Sequence, residues 1–385
     1  MAFTGKAVYS PNVFANDLAE DVAPEIGIVS TYEAPMLDAL GDAQYPANST
    51  LHQWSEDALT PNTFITSTAV ASTAADTTLM INLGQGVFLR PGALLRVPPE
   101  DVGRSDDGEY WQVKTVSGAD TIIVTRAFGG TTASSFAAGK TIEVISDVGL
   151  EGDDVTTDVS RPRPRKSNIV QLIKKDVIVS GTMDAVKKVG GITSELSYQE
   201  QQRLREALRD LEKVVIKGIM SGSPAGGAST YRSMNGLLRL ITTNVVSINA
   251  SGGFTEQALN DTVKKAWDSG ARDMDLLVCD ANYKRQVDLL NASRVRLGNE
   301  DGKVRNLGTD YESAFGTQRV LLSPWPAKNT VMVLATRRVK VLPLVGRTFS
   351  SAPIAPTGDA SKRMIVGEYT VELKNEEGMA VLRGR

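Results

Sequence analysis

The segment SELSYQEQQRLREALRDLEKVVIKGIMS, which occupies residues 194–221, carries the strongest secondary-structure signal in the chain. Its aliphatic side chains recur at spacings of four and three, as on one apolar stripe of a helix: Leu204, Leu208, Leu211, Val215 and Ile219. Ser197 and Glu200 have the spacing of a capping box at its start. At 1.5 Å per residue the predicted helix is about 40 Å long. Its other face is charged, and Glu212 is expected to lie there.

The sequence that follows this helix alternates between helical and strand patterns. Residues 255–269 and 282–290 have helical patterns, and residues 275–280 enclose a buried strand. Further strand patterns lie at residues 320–322, 330–334, 339–342, 366–374 and 379–382. Before the long helix, residues 169–180 alternate between apolar and polar side chains, which is typical of a strand. The sequence therefore predicts an α+β protein.

Residues 62–147 differ in pattern from the rest of the chain. Short apolar runs such as Thr121–Thr125 alternate with turn signals such as Arg90–Gly92 and Asp106–Gly108. Several short strands at this spacing are typical of a small antiparallel barrel or sandwich. We therefore predict a small β-barrel or sandwich inserted into the α+β framework.

Residues 1–60 lack periodicity and contain many Pro, Asn and Thr residues, which favours an extended arm over a compact lobe. Because an extended chain rises about 3.3 Å per residue, such an arm could reach well beyond its own subunit. The alternative is an arm that folds back on its own core.

Two blocks of opposite charge follow the predicted module. The acidic block contains Glu151, Asp153, Asp154 and Asp158, and the basic block contains Arg161, Arg163, Arg165 and Lys166. Prolines between the cations exclude a helix and favour an extended segment. Adjacent blocks of opposite charge suit pairing with a second copy, so we predict that these residues make contacts between subunits. Contact with nucleic acid and a solvated surface are the two alternatives.

The composition excludes most kinds of enzyme. His52 is the only histidine and Cys279 the only cysteine among 385 residues. A zinc site with two histidines and an intrachain disulfide are therefore both impossible. A serine or cysteine nucleophile would have only His52 as an imidazole base. We predict that His52 is a surface or interface residue and that Cys279 is a small core residue.

Three local motifs resemble functional sequences but depart from them. Residues 137–141 resemble the end of a phosphate-binding loop, but Ser134 stands where that loop requires glycine. Residues 221–226 have the wrong spacing for a nucleophile elbow. Asp273, Asp275 and Asp280 could suggest metal ligands, but Asp275 and Asp280 flank a buried strand, where acids more often cap the next helix or mark strand ends. We predict no catalytic activity, no cofactor and no metal.

Net charge and hydropathy narrow the class of protein further. The formal charge of -3 argues against a dedicated nucleic-acid-binding protein, which usually carries a strong basic field. The sequence also contains no apolar stretch of the length that a membrane-spanning helix needs, and its start lacks the apolar core of a signal peptide. We therefore expect no association with a membrane.

Several short segments, taken in their order and spacing, carry a family resemblance that covers nearly the whole chain. They are Glu25-Ile26, Tyr32–Leu37, His52–Leu59, Val124–Arg126, Gly129–Thr131, Asn168, Val179–Val186, Asp210–Glu212 and Tyr369–Asn375. In these segments the chain resembles the major head (major capsid) proteins of tailed double-stranded-DNA bacteriophages, which have the Hong Kong 97-like capsid fold. One departure is Tyr32–Pro35, where that family tends to have Thr-Pro-Phe after an acid.

The resemblance implies a division of the chain into the parts of that fold. Residues 1–45 would form an N-terminal arm. Residues 46–188 would form a long extended loop that bears the β-module at about 62–147. Residues 189–235 would contain the spine helix of the peripheral domain, and residues 236–360 the axial domain with the remaining peripheral segments. Residues 361–385 would be the C-terminal strand pair of the peripheral domain.

The resemblance also implies a structural function. The chain would self-assemble into pentamers and hexamers of an icosahedral head, which encloses double-stranded DNA without sequence-specific binding. Its other partners would be a portal protein and decoration or scaffolding proteins, and the head would assemble in the host cytoplasm as part of the virion. Two alternatives stay open: the shell of an encapsulin-like cellular nanocompartment, which shares the fold, and a surface adhesion protein whose β-module binds carbohydrate.

Overall fold

A computed structural model describes residues 34–41, 43, 45–57, 59–72, 77–99, 108–152, 154, 160, 163–186, 194–227, 229–248, 253–294 and 310–384. The chain divides into two compact units, which we call the body (Met1–Glu56 and Arg165–Arg385) and the module (Asp57–Pro164). Most of the predicted N-terminal arm lies outside the described residues, as do three of the predicted contact residues, Asp153, Asp158 and Arg161.

The helices of the described chain are α1 (Pro35–Leu40), α2 (Gly181–Ala185), α3 (Glu195–Lys217), α4 (Leu237–Leu240), α5 (Glu256–Asp268) and α6 (Ala281–Arg294). Strand β1 (Leu51–Ser55) precedes the module. The strands of the module are β2 (Thr63–Ile65), β3 (Thr77–Met80), β4 (Ala93–Val97), β5 (Glu109–Val116), β6 (Thr121–Thr125) and β7 (Thr141–Asp147). The body resumes with β8 (Arg165–Ile169), β9 (Gln171–Ser180), β10 (Val245–Ile248), β11 (Leu276–Cys279), β12 (Asp310–Ser313), β13 (Gly316–Leu322), β14 (Thr330–Leu334), β15 (Val339–Pro343), β16 (Ser350–Ile354), β17 (Ala360–Leu373) and β18 (Ala380–Gly384).

The six strands of the module form one antiparallel sheet in the order β2-β7-β4-β5-β6-β3. A bridge between Thr66 and Ile81 joins the two outer strands, and Asn82 N donates a hydrogen bond of 2.9 Å to Ile65 O beside it. The sheet therefore closes into a small barrel. Every second side chain points inside, and the largest buried ones are Phe64, Leu79, Ile81, Leu95, Trp111, Ile122 and Ile142. The predicted β-barrel is confirmed.

The larger sheet of the body has the strand order β10-β18-β14-β11-β13-β12. Every residue of β11 and β14 is buried, in agreement with their continuous apolar runs. Helix α5 covers this sheet with the buried side chains of Leu259, Val263 and Ala266. Thr255 caps α5, because its side chain accepts the backbone N–H of Ala258 at 3.2 Å. The helix and the central strands lie where the sequence predicts them.

The second sheet of the body is built around the long strand β17. Strand β9 pairs antiparallel with residues 360–369 of β17, while β15 and β16 pair with its other edge. Helix α3 packs against β9 and β17, and Leu211 and Val215 share one buried cluster with Ile173 and Val371. The α+β class is thus confirmed, with more strand than helix.

Helix α3 differs from its prediction at both ends. Ser194 is the N-cap, since its Oγ accepts the N–H of Ser197 at 3.4 Å, so the predicted capping box was wrong. The helix stops at Gly218, where a Cβ would lie 2.5 Å from the carbonyl oxygens of Val214 and Met234, too close for any residue but glycine. At 23 residues it is about 35 Å long.

The face of α3 that packs on the body is also offset from the predicted stripe. The buried residues are Ala207, Leu211, Glu212, Val215 and Ile216. Leu204 and Leu208 are 39% and 38% exposed in the single chain. Glu212 was expected on the charged face and is instead 0% exposed. Leu211 and Val215 of the predicted stripe are buried and Leu204 and Leu208 are not, because the spacing of apolar residues identifies a helix but does not show which of its neighbouring rows faces a partner.

Candidate functional site

Strands β1 and β8 form a two-stranded antiparallel ribbon in the body, with Leu51 opposite Ile169. The chain enters the module just after β1 and leaves it just before β8. Successive side chains of a strand point to opposite faces, so one face of the ribbon carries His52, Trp54, Lys166 and Asn168. Two of these side chains, His52 and Asn168, form hydrogen bonds with strand β17. The ribbon is therefore the first candidate for a functional element.

The carboxylate of Glu372 on β17 is the main polar partner of the ribbon. Its Oε2 lies 2.6 Å from Nε2 of His52, and its Oε1 accepts the hydroxyl of Tyr45 at 2.8 Å. The ammonium of Lys374 lies 3.0 Å from Oε1. Burial alone would raise the pKa of Glu372, but the hydrogen bonds from His52, Tyr45 and Lys374 lower it to about 2. Glu372 is therefore an ionised, nearly buried acceptor at neutral pH.

Asn168 joins the ribbon to two other segments of the body. Its Nδ2 donates to Val371 O at 2.9 Å and to Asn235 O at 3.1 Å, and its Oδ1 accepts Asn235 N at 2.9 Å. The residue is 0% exposed. A buried amide with each of its atoms bonded fixes the ribbon in register with β17 and with the segment after α3.

Glu56 closes the end of the ribbon that leads into the module. Its Oε1 accepts both the indole N–H of Trp54 and the backbone N–H of Asn375, each at 3.0 Å. The rings of Trp54 and His52 stack with centroids 5.8 Å apart. We call His52, Glu56, Asn168 and Glu372 the ribbon anchor. It ties both strands that lead to the module to the C-terminal part of the body.

A buried ion pair lies inside the module. Arg126 and Glu109 have no exposed side-chain surface, and two hydrogen bonds of 2.9 and 2.6 Å join them. Glu109 also accepts Ser134 N at 2.9 Å, and Arg126 donates to Ser134 O at 2.6 Å. Burial would raise the pKa of Glu109, but the bonds from Arg126 and Ser134 hold it below its ordinary value. The guanidinium also lies 5.7 Å from the centre of the Trp111 ring. The pair therefore fixes the loop after β6 on β5.

Five of the eight predicted contact residues are described. Glu151 and Asp154 are exposed. Arg163 Nε lies 3.2 Å from Asp57 Oδ2, and both side chains are more than half exposed. Arg165 and Lys166 are exposed residues of β8. Strands β8 and β9 are paired with β1 and β17 of their own chain. Contacts of these charged side chains with a second copy stay a prediction for all eight residues.

The structure revises the prediction for His52. Its side chain is 14% exposed and is bonded to Glu372 of its own chain, so His52 is not a freely exposed surface residue. Its place at an interface between subunits stays a prediction. The contact with Glu372 joins residues 320 positions apart, and no local pattern in the sequence announces it. No local sequence pattern announces the bonds of Arg126 to Glu109 and Ser134 either. The family resemblance included Arg126 in a segment without assigning it a role.

The other singled-out residues lie as the sequence predicts. Cys279 is fully buried, and burial raises the pKa of its thiol to about 12. Asp280 caps α6, since its Oδ1 accepts Tyr283 N at 3.2 Å. Asp275 accepts Thr336 N at 2.8 Å, and Asp273 forms a two-bond pair with Arg338. These acids are engaged in structural bonds at strand ends.

The described part of the chain contains no group of three His, Cys, Asp or Glu side chains that could hold a metal ion. Within the same residues, no helix combines the length and the apolar character needed to cross a membrane. The body and the module each contain buried polar side chains that are hydrogen-bonded to one another or to the backbone.

A family model described as "SU10 major capsid protein" matches residues 4–385. No curated protein matches the chain. Among solved structures, the capsid of an empty GTA particle has a TM-score of 0.51 at 8% identity, with 99% of each chain covered. The capsid of Myoviridae phage XM1 has a TM-score of 0.50 at 10% identity, with 97% of this chain and 99% of that chain covered.

A holo-SrpI encapsulin complex from Synechococcus elongatus PCC 7942 has a TM-score of 0.41 at 11% identity, and the match covers 57% of this chain and 75% of that one. The two capsid structures share the fold of this chain along almost its full length. The Hong Kong 97-like capsid fold that the sequence predicts is thereby confirmed.

Proposed function

The chain belongs to the SU10 major capsid protein family, whose model matches residues 4–385, and from this membership we propose that its copies form the pentamers and hexamers of an icosahedral phage head. As a major capsid protein the chain has a structural, non-enzymatic role in an oligomeric shell and is a component of the virion. A closed shell of one kind of chain needs large interfaces that recur with symmetry. The family match over the whole chain carries the proposal and favours it over a nanocompartment shell or an adhesion protein.

The division of the chain that the resemblance implies becomes part of the proposal. Residues 46–188 would be the extended loop of the capsid fold, with the ribbon as its base and the module inserted in it. Helix α3 would be the spine helix of the peripheral domain, and residues 236–360 would contain the axial domain. Strands β17 and β18 would supply the C-terminal strand pair at 361–385. In support, the ribbon anchor joins the base of this loop to β17.

In the shell, the ribbon anchor would hold the base of the extended loop on its own subunit. An extended loop that reaches a neighbouring subunit transmits force to its own subunit through its base. In this chain the base is held by the 2.6 Å contact of His52 with Glu372 and by the buried amide of Asn168. Buried hydrogen bonds of this kind cost more to break than exposed ones, because the separated groups lose their partners inside the protein.

The charged residues at the end of the module and at the start of β8 would make contacts between subunits. Arg163, Arg165 and Lys166 are exposed, as are Glu151 and Asp154. Exposed pairs such as Arg163 with Asp57 contribute at most about 1 kcal/mol within one chain, so exchanging partners between chains costs little. Asp153, Asp158 and Arg161 belong to the same proposal on their sequence positions alone.

The charge of the chain supports containment of DNA without tight binding. A protein that neutralises many phosphates needs many cations on one face, whereas this chain has a formal charge of -3. Double-stranded DNA would be enclosed without sequence-specific contacts. A portal protein, decoration or scaffolding proteins and assembly in the host cytoplasm complete the proposal.

Sedimentation velocity of the purified chain tests the proposal. We expect a population of very large particles, far above the 41.3 kDa of a single chain, under conditions of moderate salt and high protein concentration. Leu204→Asp and Leu208→Asp are suitable variants for this measurement. Both leucines are partly exposed on α3, so neither replacement should unfold the chain. A chain that stays monomeric under every assembly condition would contradict the proposal.

A further inference from the structure

Helix α1 is held on helix α3 by one buried carboxylate. Oε1 of Glu212 accepts the backbone N–H of Met36, and Oε2 accepts that of Leu37, both at 2.9 Å. Glu212 is 0% exposed. The first N–H groups of a helix have no partner within the helix, and here a side chain 175 residues away supplies one.

The contact between α1 and α3 also has an apolar part. Met36 is fully buried and belongs to one cluster with Leu211 and Val215 of α3. Removal of α1 from α3 would therefore expose Met36 and return Glu212 to water in the same step. The protonation of Glu212 and the docking of α1 must consequently depend on each other.

The surroundings of Glu212 favour its neutral form. Burial makes the largest contribution and raises the pKa, while the hydrogen bonds from Leu37 and Met36 lower it. The negative charge of Asp38 raises it further. Together these effects raise the pKa of Glu212 to about 7. A carboxylate held only by two backbone donors is not fully compensated for the loss of water.

The charged groups on the neighbouring elements have other positions or partners. On α3, Asp210 pairs with Lys175 of β9 at 2.6 Å, and Lys213 lies 4.5 Å from the centre of the Trp325 ring. The other charged residues on α3 and on the elements around α1 and α3 are Arg209 on α3, Asp184 on α2, Lys174 and Asp176 on β9, Arg239 on α4, Arg319 on β13, Lys340 on β15, and Lys362, Arg363, Glu368 and Glu372 on β17. Lys340 lies over the Tyr45 ring, Arg363 pairs with Glu200, and Arg239 and Arg319 are exposed. Asp38 is the charged group whose field reaches Glu212.

We propose that Glu212 couples the docking of helix α1 on helix α3 to proton uptake, so that α1 is held firmly in acid and is released more readily above neutral pH. In the undocked chain Glu212 regains its ordinary pKa, which is lower than the docked value. The stabilisation is complete below the ordinary pKa and is lost as the pH rises through about 7. A shift of this size changes the docking equilibrium roughly 100-fold across that window.

Hydrogen exchange of the full chain, read by mass spectrometry between pH 5 and pH 9, tests this device. After correction for the intrinsic effect of pH, protection of the peptide at 35–41 should fall by roughly 100-fold relative to a peptide from β14. The measurement reports docking in a single chain and in a shell alike, so it does not depend on the proposed assembly. Protection of α1 that is independent of pH would overturn the proposal.

Two variants and a control sharpen the test. Glu212→Gln keeps an acceptor for a backbone N–H but cannot ionise, so protection of α1 should become flat with pH. Asp38→Asn removes the nearby negative charge and should move the midpoint to lower pH. Glu206→Gln, which changes an acid paired with Arg203 on the same helix, should leave the profile unchanged. A Glu212→Gln variant with the wild-type profile would refute the assignment to Glu212.

Discussion

Nε2 of His52 lies 2.6 Å from Oε2 of Glu372, although 320 residues separate them in the chain. The contact joins the strand that leads into the module to the strand near the C-terminus of the body. Because Glu372 also accepts the hydroxyl of Tyr45, one carboxylate holds two points of the segment that precedes the module. The stability of the ribbon should therefore depend in part on Glu372, beside the bonds of Asn168 and Glu56.

Acid should loosen the ribbon. The pKa of Glu372 is lowered to about 2, so its stabilising effect is present above its ordinary pKa and is lost as the pH falls toward 2. Hydrogen-exchange protection of residues 51–55 should drop between pH 5 and pH 2.5, and in Glu372→Gln it should lose this dependence. Equal pH profiles for the two proteins would show that Glu372 does not hold the ribbon.

Removal of the imidazole should destabilise the body. His52→Ala leaves the nearly buried Glu372 with one donor fewer, which we expect to cost about 1–3 kcal/mol in the free energy of unfolding. Gln53→Ala is the matched control, because Gln53 is the exposed neighbour on the other face of β1. Denaturant unfolding measures both. Equal losses in the two variants would contradict the role of His52.

The buried ion pair of the module should respond differently to single and double substitution. Arg126→Met leaves Glu109 charged and unpaired inside the barrel, which should cost about 3–5 kcal/mol in the stability of the module. The double variant Arg126→Met with Glu109→Leu should recover part of that loss, since no buried charge remains.

Arg96→Met provides the control for this series. Its partner Glu143 is 42% exposed, so the change should cost less than about 1 kcal/mol. Calorimetric thermal unfolding of the full chain can compare all three variants. A loss for Arg126→Met no larger than that for Arg96→Met would mean that the pair does not stabilise the barrel.

The basic block should act on assembly before it acts on DNA content. We expect the double variant Arg161→Glu and Arg163→Glu to lower the yield of shells more than the amount of DNA in each assembled head. The reason is that tight phosphate binding needs many cations on one face, whereas the chain as a whole has a formal charge of -3. Shell yield by sedimentation and DNA per particle by absorbance supply the two numbers. The opposite ranking would assign these arginines to DNA contact.

Local patterns in the sequence were sufficient for much of the fold. Helix α5 carries its stripe and its Thr255 cap within a few residues, and β11 is a continuous apolar run. The module could be predicted because strands such as β4 and β6 alternate between buried and partly exposed residues and are separated by turn signals. In these elements local propensity and tertiary packing agree.

The anchors could not be predicted, because each depends on residues far apart in the chain. Glu212 resembles an ordinary surface acid of a helix until α1 is placed on it. His52 has no polar pattern around it that points to Glu372. Local sequence reports periodicity, whereas these contacts are set by topology.

Cryo-electron microscopy of particles assembled from the purified chain can show both the shell and the ribbon. We expect closed icosahedral shells of pentamers and hexamers, in which the density for His52 meets that for Glu372 in every subunit and the charged residues at the end of the module touch a neighbouring subunit. A field of monomers without shells, or shells in which the ribbon is detached from β17, would contradict this expectation.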